Sequence, residues 1–169
     1  MKILAWTLGA LVAVVAVVAV VAGIGFLLPV RHRVMRQATF PVSAGVVFTA
    51  ITRVEDFPSW RSVVTKVDVI ATAPEKPSWR ETGSNGAIVF VAEQVTAPNT
   101  LVTRIADRSL PFGGTWTYEL TPAAGGTTLR INEDGEVYNP IFRFMSRFVF
   151  GHTATIDTYL RDLGAKLSS

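Results

Sequence analysis

The first thirty residues form an apolar run in which no polar face recurs. No charged side chain occurs from Ile3 to Val30. As a helix, residues 4–28 would measure about 37 Å, which exceeds the roughly 30 Å hydrocarbon core of a bilayer. The pattern therefore predicts a transmembrane anchor over residues 3–28, so that an anchor region, 1–30, precedes a single domain, 31–169.

A cleaved signal peptide is the alternative interpretation of this run, with residues 20–22 (VVA) as a small-residue cleavage site. Signal-peptide apolar cores are about 7–15 residues long, and this run continues well beyond that length, which favours a retained anchor. Arg31, Arg33 and Arg36 follow the run, whereas Lys2 and the terminal amine precede it. The positive-inside bias then leans, by one charge, towards a cytoplasmic domain at the cell membrane.

Short β-patterned runs separated by turn residues fill the middle of the chain. Residues 34–40 form the first predicted strand, Ser43 is an N-cap for a helix to Arg53, and residues 55–60 form a brief helix or tight corner. Six further runs lie at 63–72, 78–82, 87–96, 100–107, 115–121 and 127–138, with Pro- and Gly-containing turns between them. Strands this close together pair as antiparallel hairpins, so the prediction is an α+β domain with a seven-stranded antiparallel sheet.

The last segment, residues 139–167, has apolar positions at helical spacing. Asn139 followed by Pro140 is a favourable helix start, because Asn caps free backbone N–H groups and Pro is tolerated in the first turn. The pattern predicts one continuous helix of about 42 Å with one apolar face, long enough to cross a small domain. Its buried stripe is Ile141, Met145, Phe148, His152, Ile156, Tyr159 and Leu163, with Arg143, Arg147, Asp157 and Arg161 on the opposite side.

A curved sheet around one long helix leaves a cavity unless large side chains fill the space between them. The candidates for lining it are Phe90, Trp116, Tyr118, Phe144, Met145 and Phe148, together with Trp79. For each of them, ordinary core packing is the alternative.

Two titratable residues are candidates for chemistry in this cavity. His152 lies on the apolar stripe, where it could bind a ligand carbonyl or act as an acid or base; a core histidine with a backbone partner is the alternative. Glu133 shares a strand face with Leu129 and Ile131, so it needs a partner, for which Arg104, Arg80 and His152 are candidates. Alternatively, a bulge at Asp134-Gly135 places Glu133 at the rim.

Composition excludes several other kinds of chemistry. The chain has no cysteine and only two histidines, so disulfides, thiolate catalysis and zinc sites of the Cys/His type are not expected. Its glycine pairs lie at hairpin turns rather than between a strand and a helix, and no serine occupies a strand-to-helix elbow. The sequence predicts no cofactor and no metal. Twelve arginines and four lysines are scattered among acids, which is not the pattern of a nucleic-acid-binding surface.

The first half of the last helix is rich in phenylalanine. Phe142 and Phe150 lie off the main stripe and near Arg143 and Arg147, a mixture that suits contact with lipid headgroups and acyl chains. Packing against the loop at Pro111-Phe112 is the alternative.

Several local strings resemble those of the START-like, or SRPBCC, superfamily, in the branch of polyketide cyclase/dehydratase and lipid-transport proteins. The strings are FPVS at 40–43, DFPSW at 56–60, GGTWTYEL at 113–120 and EDGEVYNP at 133–140, and the resemblance extends over residues 34–167. It implies a helix-grip fold with an apolar cavity beneath the C-terminal helix that binds lipids, polyketides or similar molecules. The superfamily has no shared catalytic motif, so the resemblance names no catalytic residue.

Three hypotheses for function remain open. The first is a membrane-anchored protein that binds a hydrophobic small molecule or lipid, with Phe90, Trp116, Tyr118, Glu133, Phe144, Met145, Phe148 and His152 as binding residues. The second is an enzyme of the cyclase or dehydratase kind that uses His152 and Glu133. The third is a non-catalytic interaction domain. Because the polar residues are sparse, the first is favoured.

Overall fold

The structure, a computed structural model, describes residues 2–72, 76–84 and 86–168, so the predicted turn at 74–77 lies partly outside the described residues. The helices are α1 (Lys2–Leu27), α2 (Ala44–Thr52), α3 (Phe57–Trp60), α4 (Pro140–Met145) and α5 (Ala154–Leu167). A 3₁₀ turn covers Val54–Asp56, and a π-helical turn covers Ser146–Phe150. The strands are β1 (Arg31–Phe40), β2 (Val64–Ala71), β3 (Ser78–Gly83), β4 (Gly86–Thr96), β5 (Thr100–Ile105), β6 (Phe112–Ala123) and β7 (Gly126–Val137).

The seven strands form one antiparallel sheet in the order β1-β7-β6-β5-β4-β3-β2. Every neighbour except β1 and β7 is also a neighbour in sequence, which confirms the sequence of hairpins predicted from the turns. The first strand begins at Arg31 rather than at residue 34, and its first residue pairs with Glu136. The extra residues, Arg31, His32 and Arg33, matter because they bring His32 onto the inner face of the sheet.

The core lies between the inner face of the sheet and helices α2 and α5. Leu129 and Ile131 of β7 meet Val47 and Ile51 of α2 in it, and all four side chains are almost completely buried. In α5, Ile156, Tyr159 and Leu163 are buried as predicted. The helix-grip architecture expected from the strand and helix order is confirmed.

The prediction of one continuous helix from residue 139 to residue 167 is wrong. Gly151 has φ +74°, a left-handed conformation that ends the helical hydrogen-bond pattern and that glycine adopts without a Cβ clash. The Asn139 cap itself is confirmed, since its Oδ1 accepts hydrogen bonds from the N–H groups of Ile141 at 2.9 Å and Phe142 at 3.2 Å. α4 and α5 are therefore two separate helices, which begin at Pro140 and Ala154.

The break also changes which side chains are buried before residue 151. Ile141 and Phe148, expected on the buried stripe, are exposed. Arg143, expected on the polar side, is buried and donates hydrogen bonds to the carbonyl oxygens of Leu28 at 2.8 Å and Tyr138 at 3.3 Å. The 3.6-residue period predicts which side chains share a face only within one unbroken helix.

Helix α1 is long and apolar enough to cross a membrane from Trp6 to Leu27, with a mean hydropathy of 2.9 and almost no burial inside the protein. Its C-terminal end packs against α4, where Gly25 is buried. A Cβ at Gly25 would lie 1.9 Å from the carbonyl oxygen of Pro140, so only glycine permits this approach.

Candidate functional site

A cavity of about 530 Å³ lies between the inner face of the sheet and the segment from Phe142 to Thr155. Ile88, Phe90, Leu101 and Ile105 form much of its apolar wall. It is partly open to solvent and is large enough for a drug-sized molecule. Two polar clusters interrupt the apolar wall, one beside the Gly151 break and one near α3.

The structure brings five of the eight predicted binding residues to the cavity wall. Phe90, Trp116, Tyr118, Glu133 and His152 line it, as does Trp79. Phe144, Met145 and Phe148 are not among the described lining residues, because the π-helical turn and the break rotate that segment. Phe144 packs instead on Phe148, with ring centroids 4.9 Å apart.

Glu133 is the centre of the first polar cluster. The β6–β7 register runs without a shift through Glu133, which faces Trp116, so the proposed bulge does not move its side chain to the rim. Its carboxylate accepts a hydrogen bond from Trp116 Nε1 at 2.8 Å and lies 3.1 Å from His32 Nε2. The partners are therefore Trp116 and His32, not Arg104, which pairs with Glu93.

His152 joins this cluster through its ring. The imidazoles of His32 and His152 are stacked, with centroids 4.0 Å apart and planes inclined by 24°. Burial, the neighbouring His32 and Arg147 lower the pKa of His152, and Glu133 opposes that effect in part. These surroundings favour the neutral form of His152.

Gly135 makes room for His32 in the cluster. The two residues face each other across β1 and β7. A Cβ at Gly135 would lie 2.3 Å from two atoms of the His32 ring, with Glu133 Oε1 at 2.9 Å. A side chain at this position would displace the imidazole from the carboxylate.

The second polar cluster is a buried ion pair near α3. Arg61 Nη1 donates to both carboxylate oxygens of Glu81 at 2.8 Å, and Trp79 Nε1 donates to Oε1 of the same carboxylate at 2.9 Å. The side chains of Arg61 and Glu81 are only 12% and 9% exposed. The guanidinium also lies over the rings of Phe57 and Tyr159, 4.9 and 5.1 Å from their centroids. The cavity therefore has a charged but paired wall at this end.

Aromatic rings connect the two polar clusters. Tyr159 of α5 packs against both Trp116 and Tyr118, with ring centroids 5.7 and 5.8 Å apart. Burial raises the pKa of each tyrosine, so both hydroxyls stay protonated at neutral pH and can donate a hydrogen bond.

His32, Arg61 and Glu81 line the cavity but were not among the sequence-predicted site residues. His32 directly follows the predicted anchor and precedes the predicted first strand, so no strand pattern includes it. Glu81 lies two residues after Trp79, so the two side chains share the inner face of β3, a pattern that could have identified Glu81. Nothing in the local sequence distinguishes Arg61 from the other arginines. Among the described residues, no group of three or more metal-ligating side chains comes together.

The fold and cavity are those of a START-like, SRPBCC-type domain, and the comparison with a protein-family model agrees. The chain belongs to the family described as polyketide cyclase / dehydrase and lipid transport, whose model matches residues 31–166. No curated protein matches the sequence.

Three solved structures illustrate the likeness of fold, all at an identity too low to transfer a function. The Zhui aromatase/cyclase from a Streptomyces species has a TM-score of 0.66 at 9% identity, covering 82% of this chain and 94% of its own. A START superfamily protein from Mycobacterium smegmatis has a TM-score of 0.64 at 17% identity, covering 81% and 97%. The di-domain ARO/CYC StfQ from the steffimycin biosynthetic pathway has a TM-score of 0.65 at 14% identity; 82% of this chain is covered, but only 52% of StfQ.

Proposed function

We propose that this chain is a membrane-anchored binding protein for a hydrophobic small molecule or lipid. The observation that carries the proposal is the cavity of about 530 Å³, whose lining residues are more often aliphatic or aromatic than polar and whose charged and imidazole side chains gather mainly in two clusters. Pockets of this kind bind by burying apolar surface, and a few placed polar groups orient the ligand. The paired Arg61 and Glu81 and the protonated Tyr118 hydroxyl would orient a neutral polar group better than a free charge.

The anchor in this proposal is α1, which spans the bilayer over residues 3–28 and holds the binding domain, 31–169, at its surface. We place the domain on the cytoplasmic side, since Arg31, Arg33 and Arg36 follow the span. The chain has no cysteine, so a single cysteine introduced at the exposed Thr121 is the only thiol that can be labelled, and its labelling shows on which side of the membrane the domain lies. A membrane-impermeant maleimide should label Thr121→Cys only after cell lysis; labelling of intact cells would reverse the orientation.

Binding is tested by mass spectrometry of small molecules extracted with the full-length, detergent-purified chain. Ile88→Trp fills the cavity from the inner face of β4 and should abolish the co-purified ligand. Val89→Trp is the matched control, because the adjacent side chain points to the other face of the same strand and does not line the cavity. Recovery of no ligand from the wild-type chain would instead favour a non-catalytic interaction domain.

The Glu133 cluster supports a second candidate, a dehydratase- or cyclase-like enzyme. Neutral His152 would remove a proton from a carbon beside a carbonyl and, as the imidazolium formed in this way, would give that proton to the departing hydroxyl, while Glu133 stabilises the imidazolium. A carbon–carbon double bond forms, and water leaves. Both groups line the cavity, where His32 contacts each of them, and general acid–base catalysis needs such groups within hydrogen-bond reach of the substrate.

This candidate is tested by turnover of a β-hydroxy-carbonyl polyketide analogue. Glu133→Gln and His152→Ala should each abolish the reaction while ligand recovery persists. If both variants retain the wild-type rate, the cluster serves binding only.

A further inference from the structure

The segment between β7 and the Gly151 break carries an exposed apolar surface. We call Ile141, Phe142 and Phe148–Phe150 the apolar patch. Phe142, Phe148 and Phe150 are 49%, 59% and 65% exposed, although they are among the largest apolar side chains of the domain. Soluble domains rarely expose so many large apolar residues in one short segment, and such patches mark contact with a partner or a membrane.

The apolar patch lies beside the C-terminal end of α1. Helix α4 packs against the α1 face that contains Val21, Ala22 and Gly25, which are less exposed than most of the rest of that helix. Gly25 approaches the Pro140 carbonyl, and Arg143 donates to the Leu28 carbonyl oxygen at 2.8 Å. These contacts fix α4 at one level along the α1 axis.

That level lies inside the span rather than beyond it. From Val21 to Leu27 a helix rises about 9 Å. If residues 6–27 span the bilayer, an element that packs on Val21–Gly25 therefore lies within about 9 Å of the end of the span that is next to the domain. Interfacial helices bury their apolar faces about 5–10 Å into the headgroup and acyl boundary, which is the same depth.

We infer that the apolar patch is embedded in the leaflet next to the domain, so that the cavity opens towards lipid rather than water. The occupant is the bilayer, because α4, which carries Ile141 and Phe142, packs on α1 at a level inside the span, and the exposed residues 148–150 follow α4 directly. Arg147, exposed in the same segment, has the length to extend its guanidinium to the headgroups. This inference deepens the proposed function and rests on it.

The route of entry follows from the residues shared by the patch and the cavity. Phe142 and Ser146 belong to the segment that carries the patch, Gly151 and His152 follow it directly, and all four line the cavity. A ligand dissolved in the leaflet would therefore pass along Phe142 into the cavity without crossing bulk water. The ligand class that fits is a membrane-resident amphiphile with an apolar chain.

The experiment uses the natural absence of cysteine. Full-length Phe150→Cys and Phe148→Cys chains are labelled with a nitroxide and reconstituted in phosphatidylcholine–phosphatidylglycerol vesicles. Collision with oxygen, which concentrates in the bilayer, is compared with collision with a water-soluble nickel chelate. Thr121→Cys is the matched control, because Thr121 is exposed on β6 and about 30 Å along the strand from Phe112 beside the patch.

The expected result is strong oxygen and weak nickel relaxation at positions 148 and 150, with the reverse at position 121. Equal nickel accessibility at all three positions overturns the inference. Dipolar broadening at 150 that disappears on dilution with unlabelled chain also overturns it, since a second copy would then cover the patch. Both substitutions replace exposed side chains, so the fold should tolerate them.

Ligand recovery from the same preparations separates this inference from the proposed function. If ligand co-purifies while positions 148 and 150 are in water, the inference fails and the binding function stands. If both positions are in lipid and no ligand is recovered, the membrane contact stands and the binding function fails, together with the route of entry.

Discussion

Replacing Arg61 by methionine isolates the contribution of the buried ion pair in the cavity wall. Methionine keeps a similar length of apolar chain over Phe57 and Tyr159 but removes the hydrogen bonds from Nη1 to Glu81. The Glu81 carboxylate then retains one donor, Trp79 Nε1, in a site where its side chain is 9% exposed.

The expected magnitude follows from this environment. Removal of one partner from a buried pair destabilises a protein by about 3–5 kcal/mol, because the remaining charge stays desolvated. The Trp79 hydrogen bond and the open cavity offset part of this loss, so we expect about 3 kcal/mol. In the double variant Arg61→Met/Glu81→Gln the unpaired charge is gone, and we expect a loss of only about 1–2 kcal/mol, smaller than that of the single variant.

The assay is guanidinium unfolding of the full-length chain in a mild non-ionic detergent, followed by near-ultraviolet circular dichroism. Arg104→Met is the matched control, because the Arg104–Glu93 pair lies on the exposed side with side chains 49% and 38% exposed. It should cost no more than about 1 kcal/mol. If Arg61→Met also costs less than about 1 kcal/mol, and the double variant recovers nothing, the pair is effectively solvated and the reasoning fails.

Three further predictions concern α5, His152 and the anchor. Leu163→Ala should lower the free energy of unfolding by about 2–5 kcal/mol, because Leu163 is fully buried. Phe148→Ala in detergent should cost much less and leave binding of an apolar probe unchanged, since Phe148 is exposed and does not line the cavity. A larger loss for Phe148→Ala than for Leu163→Ala would place Phe148 in the core. Because the pKa of His152 is lowered on folding, the unfolded chain binds more protons near the ordinary histidine pKa of about 6.5, and stability should fall as pH drops through this region. His152→Gln should make the thermal midpoint less pH-dependent there; an unchanged profile would assign the effect to another group. Intact-mass analysis of membrane-extracted protein should show residues 3–28 retained, and a mature N-terminus near Gly23 would instead identify a signal peptide.

The sequence by itself determined the order of the elements and several aromatic residues of the cavity wall. Alternation along β7 placed Glu133 on the inner face with Leu129 and Ile131, because a strand's side-chain period is two whatever it pairs with. The apolar run at the N-terminus likewise needs no tertiary information, since its length and its lack of charge define it. The buried stripe of α5 was predictable for the same local reason.

Only the tertiary structure decided which polar groups meet in the cavity. His32 and Glu133 are 101 residues apart and meet because β1 pairs with β7 opposite Gly135, a register that no local pattern encodes. The positions of Phe144, Met145 and Phe148 depended on the π-helical turn and on Gly151, whose positive φ ends the first helical segment before α5 begins at Ala154. Helical periodicity describes a face only relative to its own axis. Where the chain changes that axis, packing against α1 and the sheet decides which side chains face the cavity and which are left exposed.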